Sequence, residues 1–316
     1  MENTATKKSG ARINSRYRSR LLFYICLVTL PSIQFLICYV YVNINSFILA
    51  FQSYTAKTGA LGFDVTFAGF TNFQKAWAVA TERMDRIKLS LIWAAIKVFV
   101  GISLALIFSF YLYKKYPMSG LFKTVLFMPQ ILSPMIFSLL FKYIAVDVYK
   151  FVVEEWFHME ALKGGLLGQD ARMGTTIFFN LWIGFGVNVL LFSGSMSGID
   201  NSLVESAQLD GVNLIKEFMY LTIPMIWPTL VTFLITAIAG IFIDQMNIFT
   251  LFDHASEIET FGYFLFVSAK SANLLPSTKG IDYSMLSAMG LMMTFILFPI
   301  TMFVRYLLNK FGPSVD

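Results

Sequence analysis

The sequence predicts an all-α, polytopic membrane protein with six transmembrane helices and a helix–turn–helix on its cytoplasmic side. Three observations carry this reading. Of 316 residues, 57% are apolar and only 14% charged, where soluble domains carry about 25% charged residues. Six stretches stay mainly apolar over the ~20 residues that a helix needs to cross a bilayer. Between the fourth and fifth of them, capping and turn residues outline two short helices.

The chain opens on a basic tail, residues 1–20, holding Lys7, Lys8, Arg12, Arg16, Arg18 and Arg20. Before a long apolar run, such a tail faces the cytoplasm and touches anionic lipid headgroups. The net charge of +5 therefore points to membrane lipid and not to nucleic acid. The first transmembrane helix, 21–43, has its apolar run at Leu21–Val42. It is too long for a cleaved signal peptide and lacks a small-residue cleavage site, so it is read as retained. Its two cysteines, Cys26 and Cys38, lie about 18 Å apart along one helix and cannot pair.

Residues 44–88 form an extracytoplasmic segment with Gly59, Gly62 and Gly69 and a short surface helix over 71–86. A core of five further spans follows at 89–312: Leu89–Tyr111, Gly120–Phe141, Thr175–Met196, Thr229–Phe249 and Ser284–Val304. Pro129 and Pro134 bend the third span. With the tail inside, both termini are cytoplasmic, as are Lys114, Lys115, Lys123, Arg305 and Lys310. The acidic 146–174 loop (Asp147, Glu154, Glu155, Glu160, Asp170) is outside. Arg83, Arg86 and Lys88 oppose this orientation, which rests on the tail.

The most informative stretch is 201–228, NSLVESAQLDGVNLIKEFMYLTIPMIWP. Ser202 and Glu205 form a capping-box pattern that starts a helix. Gly211 supplies the flexible position at its end. Asn213 caps a second helix through Phe218 and Leu221, which Pro224 and Pro228 stop before the fifth span. A rigid foot with a small apolar ridge (Val204, Ala207) beside charge suits docking of a soluble partner.

Glu205-Ser206-Ala207, Asp210-Gly211, Phe218, Leu221 and Ile223-Pro224 resemble the EAA loop of binding-protein-dependent ABC importer permeases. Asp210 before Gly211 is similar to the carbohydrate-uptake branch. So are Phe67–Phe73, Phe127-Met128-Pro129 and Trp182. Ser206, Val212 and Ile223 are mild departures, and Thr250–His254 replaces a Thr-x-Gly-Gly-Pro segment of that family. The resemblance implies a bacterial cell-membrane permease subunit that imports a sugar or oligosaccharide and is not itself an enzyme. Its implied partners are a second homologous permease, two ATP-binding cassette ATPases and an extracellular solute-binding protein. It also implies that Glu205, Ser206, Ala207, Asp210, Gly211, Phe218 and Pro224 couple the foot to the ATPase. Gly211 would allow close approach, and Glu205 would serve as a cap or a partner contact. ATP and Mg are expected in the ATPase, with no cofactor on this chain. No G-x-x-x-x-G-K-[ST] phosphate loop is present in the sequence.

Charge inside a membrane is costly and often functional. Lys97 in the second span has two readings: its stem reaches to the outer headgroups, or it faces a pore, paired with Asp244. Asn180, Trp182, Asn188, Gln245 and Asn247 either line a substrate path with Lys97 and Asp244 or hydrogen-bond helices together. His158 and His254 are far apart in sequence and suggest no metal site. Two alternatives remain: a permease for a non-sugar solute, and a secondary transporter, which would show inverted repeats and broken helices.

Overall fold

The computed structural model describes residues 3–56, 63–252, 258–272 and 282–313, with side chains described from residue 17 on except at 56 and 63. Gly59, Gly62, Asp253 and His254 lie outside the described residues. The chain divides into two compact units, Met1–Ala76 with Asn273–Leu291 and Trp77–Ala272 with Met292–Asp316.

In the first unit, α1 (Asn3–Phe35) continues through a π turn at Leu36–Tyr41 into α2 (Val42–Ala50). The helix thus begins inside the predicted tail and passes the predicted end of the first span. Leu22, Phe23, Leu30 and Phe35 are exposed along it, as a lipid-facing helix requires. Cys26 and Cys38 are unpaired and exposed on it. Asn72 closes its end, donating from Nδ2 to the carbonyls of Ala50 and Gln52 at 2.9 Å each.

The predicted all-α class needs one correction: β1 (Gln52–Ala56) and β2 (Phe63–Phe67) pair antiparallel, from Gln52 with Phe67 to Ala56 with Phe63. Tyr54, Thr55, Val65, Thr66 and Phe67 are β-branched or aromatic and fit a pleated surface. The surface helix is present as α3 (Thr71–Glu82).

In the second unit, α4 (Met84–Ile96) runs through a π turn at Lys97–Ile102 into α5 (Ser103–Tyr113). Then come α6 (Ser119–Ile131) and α7 (Pro134–Tyr143), the latter continuing helically through α8 (Tyr149–Phe151) to Trp156. The predicted third span is not one bent helix: α6 and the helix after it meet at 105°. Pro134 disfavours helical backbone at the residue before it, and Leu132 and Ser133 are extended, with ψ of 149° and 134°.

The fourth span, α9 (Arg172–Met196), is one uninterrupted helix and packs on α5 and α6. Gly186 lets α6 approach closely, since a Cβ there would lie 2.1 Å from the Leu126 carbonyl oxygen. Gln130 Nε2 donates to the Ile183 carbonyl at the same crossing. After the foot, α13 (Trp227–Ala239) ends ten residues before the predicted end of the fifth span. Residues 240–247 are non-helical, and α14 (Ile248–Phe252), α15 (Phe261–Ser271) and α16 (Tyr283–Phe311) complete the chain.

Four helical runs are long and apolar enough to cross a membrane: Tyr17–Ala50, Met84–Tyr113, Arg172–Met196 and Tyr283–Phe311. The count rises to six if two bent pairs, Ser119–Ile131 with Pro134–Trp156 and Leu214–Met225 with Trp227–Ala239, each make one span. The largest buried cluster joins Ile102, Ala105, Leu106 and Phe110 to Val189, Phe192 and Met196. It lies under the foot.

Candidate functional site

The foot is two capped helices, α10 (Asn201–Leu209) and α11 (Leu214–Lys216), the second continuing through a π turn at Glu217–Thr222 into α12 (Ile223–Met225). Its N-cap corrects the capping-box prediction. Asp200, not Ser202, caps α10, its Oδ1 accepting from the Ser202 amide at 2.9 Å. That hydrogen bond holds the Asp200 carboxyl below its ordinary pKa. Glu205 is thereby exposed and free of a capping role.

At the other end the glycine prediction holds. Gly211 has φ +77°, and the Val212 and Gly211 amides donate to the Ala207 and Gln208 carbonyls at 3.0 Å each, a Schellman closure. A Cβ at Gly211 would meet nothing within 4 Å, so within this chain the glycine serves the backbone angle. Asn213 caps α11 as predicted, accepting from the Lys216 amide at 2.9 Å. Pro224 does not stop the second helix. The break comes at Ile226 (φ −94°, ψ 8°), where the chain bends by 73° into α13. Pro228 then sits in the first turn of α13, where its missing amide costs nothing.

The two faces of the foot differ. Val204 is buried, not part of an exposed ridge; with Ile226, and with Phe218 and Leu221 beside them, it packs into the core under α5 and α9. Ala207 is half-buried, while Ser206 and Asp210 are exposed. The apolar groups offered outward are Leu203, Leu214, Met219, Tyr220, Leu209 (89% exposed) and Ile215 (72%).

One ion pair fastens the foot to the end of the second span. Glu217, 3% exposed, meets Lys114 at the C-terminal end of α5. The Lys114 ammonium lies 5.6 Å from the ring centroids of both Phe110 and Tyr113. Phe110 in turn packs on Phe218 of the foot at 4.9 Å.

The polar site inside the spans centres on Asp244. Lys97 Nζ lies 2.7 Å from its Oδ2, and Trp93 Nε1 donates to the same oxygen at 3.0 Å. The Met246 amide donates to Oδ1 at 3.0 Å. The pairing reading of Lys97 therefore replaces the headgroup reading.

Backbone that leaves a helix inside lipid must find partners within the protein. Residues 240–247 do so. Met246 and Asn247 have φ of 51° and 49°. Asn180 Nδ2 donates to the Met246 carbonyl at 2.7 Å, and Asn247 Nδ2 donates to Asn180 Oδ1 at 2.8 Å. Thr260 Oγ1 donates to the Asp244 carbonyl at 2.8 Å. Asn180 and Asn247 thus hold a joint between helices.

Trp182 stands apart, in an aromatic cluster with Phe137 at 5.1 Å and Phe178 at 5.9 Å. Gln245 and Asn188 are half-buried and make no side-chain hydrogen bond among the described residues. No described cluster of His, Cys, Asp or Glu is placed to hold a metal ion. Sequence reading missed Trp93, Thr260, Asp200 and the Lys114–Glu217 pair. Trp93 had a signal, lying one helical turn before Lys97 and so on its face.

The arabinooligosaccharides transport system permease protein AraP of Halalkalibacterium halodurans is 23% identical over 239 residues, 75% of this chain and 72% of that protein. The lactose transport system permease protein LacF of Rhizobium radiobacter is 27% identical over 201 residues, 61% of this chain and 64% of that protein. A crystal structure of a bacterial ABC transporter involved in import of the acidic polysaccharide alginate matches with a TM-score of 0.69, covering 95% of this chain and 99% of that one at 16% identity. In sequence and in fold this chain is similar to ABC transporter permeases. No family model matches the chain. Its broken helices at 132–133 and 240–247, a feature expected of secondary transporters, therefore occur in an ABC permease fold. As a permease it is a multi-pass membrane transport component.

Proposed function

We propose that this permease imports a sugar or oligosaccharide delivered by an extracellular binding protein, driven by separate ATPase subunits that bind ATP and Mg. The foot carries the proposal: two capped helices whose inner face is built into the span core and whose outer face offers Leu209 and Ile215 to a partner. The carbohydrate cargo follows the relatives named for arabinooligosaccharides and lactose. A second permease completes the pore, and the foot, with both termini, faces the cytoplasm.

In this reading the ATPase dimer docks on Glu205–Gly211 and prefers one arrangement of the foot. Closure on ATP then shifts the permease population toward that arrangement. The shift passes to α5 through Phe110–Phe218 and Lys114–Glu217. Lys97 and Asp244, with Asn188, Gln245 and Trp182, line the substrate path.

Replacing Gly211 tests the docking. Gly211→Leu forces φ +77° on a residue that resists it, so the ATPase no longer co-purifies and uptake stops while membrane insertion persists. Gly211→Asn, which tolerates that angle, keeps both. Uptake by the Leu variant at the parental rate would overturn the assignment.

A further inference from the structure

Lys115 and Lys123 line one cleft of about 250 Å³ together with Leu112, Tyr113, Ser119, Gly120, Ser193 and Ser197. The cleft lies where α5 ends, α6 begins and α9 ends. Lys114, adjacent to it, meets Glu217 of the foot, so the cleft opens at the foot's end of the spans. Both lysines are exposed, and among the described residues neither has an acidic partner. Two uncompensated cations therefore share one opening with serine hydroxyls and with the apolar flanks of Leu112 and Tyr113.

We propose that this cleft binds the phosphodiester headgroup of an anionic membrane lipid. The charge calls for an anion. The apolar flanks and the position at the end of three apolar helices call for one attached to an acyl chain. At 250 Å³ the cleft is smaller than the ~300–1,000 Å³ typical of small-molecule pockets, so it takes a headgroup and not a whole cargo molecule. The lysines supply the point charges that phosphate oxygens accept, and the Ser119 hydroxyl adds a donor at the rim. This inference rests on the chain spanning the membrane, not on its cargo or its ATPase. A lipid seated here would touch α5, α6 and α9 together, beside the ion pair that fastens the foot.

The test is lipid retention by the full-length permease in nanodiscs of mixed phosphatidylglycerol and phosphatidylcholine, read by native mass spectrometry. The parent protein retains phosphatidylglycerol preferentially. The double variant Lys115→Ala, Lys123→Ala loses that preference by several hundredfold, about twentyfold for each charge-assisted hydrogen bond removed. A control that removes two other charges, Arg305→Ala with Lys310→Ala, removes diffuse attraction alone and changes it by at most about thirtyfold, about fivefold per charge. Equal retention by parent and Lys115/Lys123 variant overturns the proposal, as does an equal loss in the control, which would mean diffuse attraction with no built cleft. Inorganic phosphate is the soluble probe: if it displaces phosphatidylglycerol at millimolar concentration, the cleft is a free-anion site and the lipid assignment fails. A permease that fails to import sugar leaves all of these readouts intact.

Discussion

Cutting the ion pair between Lys114 and Glu217 has an asymmetric outcome that the geometry dictates. Glu217 is 3% exposed, and the Lys114 side chain is 15% exposed beside it. Lys114→Ala strands a buried carboxylate, and removing one partner of a buried pair costs about 3–5 kcal/mol. Glu217→Ala leaves an ammonium on a long flexible stem at a helix end, from which it swings toward water. That variant loses about 1 kcal/mol, the scale of a typical substitution. The double variant has nothing to strand and resembles Glu217→Ala. The coupling energy of the cycle therefore equals the Lys114→Ala loss in magnitude, about 3–5 kcal/mol, against about 0.3–0.5 kcal/mol of scatter for independent sites. The assay is reversible denaturant unfolding of the purified permease in lipid nanodiscs, run on the parent, both single variants, the double and the charge swap Lys114→Glu, Glu217→Lys. Under the proposed ATP-driven import, the Lys114→Ala variant assembled with its ATPase moves less solute per ATP in intact vesicles, because the foot is loosened from α5. Additive losses within about 0.5 kcal/mol would refute the reasoning and reduce the pair to a surface contact.

Three more predictions follow from the same geometry. Lys97→Met leaves Asp244 with Trp93 and the Met246 amide as its polar contacts and lowers uptake at least tenfold in vesicle assays, while Lys97→Met with Asp244→Asn recovers expression and folding; parental uptake by the single variant would show the pair to be idle. Gly186→Val drives a side chain into Leu126 backbone 2.1 Å away, so the thermal midpoint of the purified protein falls, with overpacking costing about 1–3 kcal/mol or more. The Asp200 carboxyl titrates below its ordinary value because its charged form accepts from Ser202; its stabilisation of α10 is full above the unfolded pKa near 3.8 and is lost as pH falls through the lower folded value. Hydrogen exchange at the α10 amides therefore matches in parent and Asp200→Ala below that window, and is faster in the variant at neutral pH.

What the sequence made legible was what local chemistry decides. Gly211 and Asn213 were placed correctly because a Schellman end and an Asx cap each need a particular side chain at a particular position. The four long spans were legible from length and polarity alone. The capping box at Ser202 and Glu205 failed because Asp200, two residues earlier, accepts from the Ser202 amide and starts the helix ahead of that pattern. Pro224 was read as a stop, yet it sits in the first turn of α12, where a missing amide is tolerated, and Ile226 makes the bend. The end of the fifth span was misplaced because Ile241, Phe242, Ile243, Ile248 and Phe249 are as apolar as any helix. Only Asn180 and Thr260, 60 or more and 13 or more residues distant from that break, reveal that its backbone is satisfied by side chains. Lys114 and Glu217 are joined by folding alone, and nothing in their neighbourhoods announces the other.

The gap at 240–247 also constrains how the chain is built. A nascent segment emerging from the ribosome cannot shed these residues into hydrocarbon alone, since the Asp244 and Met246 carbonyls would lack the donors that answer them in the folded chain. The groups that answer them come from Asn180, synthesised earlier, and Thr260, synthesised later. Membrane integration of Trp227–Phe252 must therefore wait, held in the insertion machinery or the headgroup zone, until Arg172–Met196 is in place and Thr260 has been made. A ribosome stalled before Thr260 would leave that stretch accessible to aqueous labelling reagents.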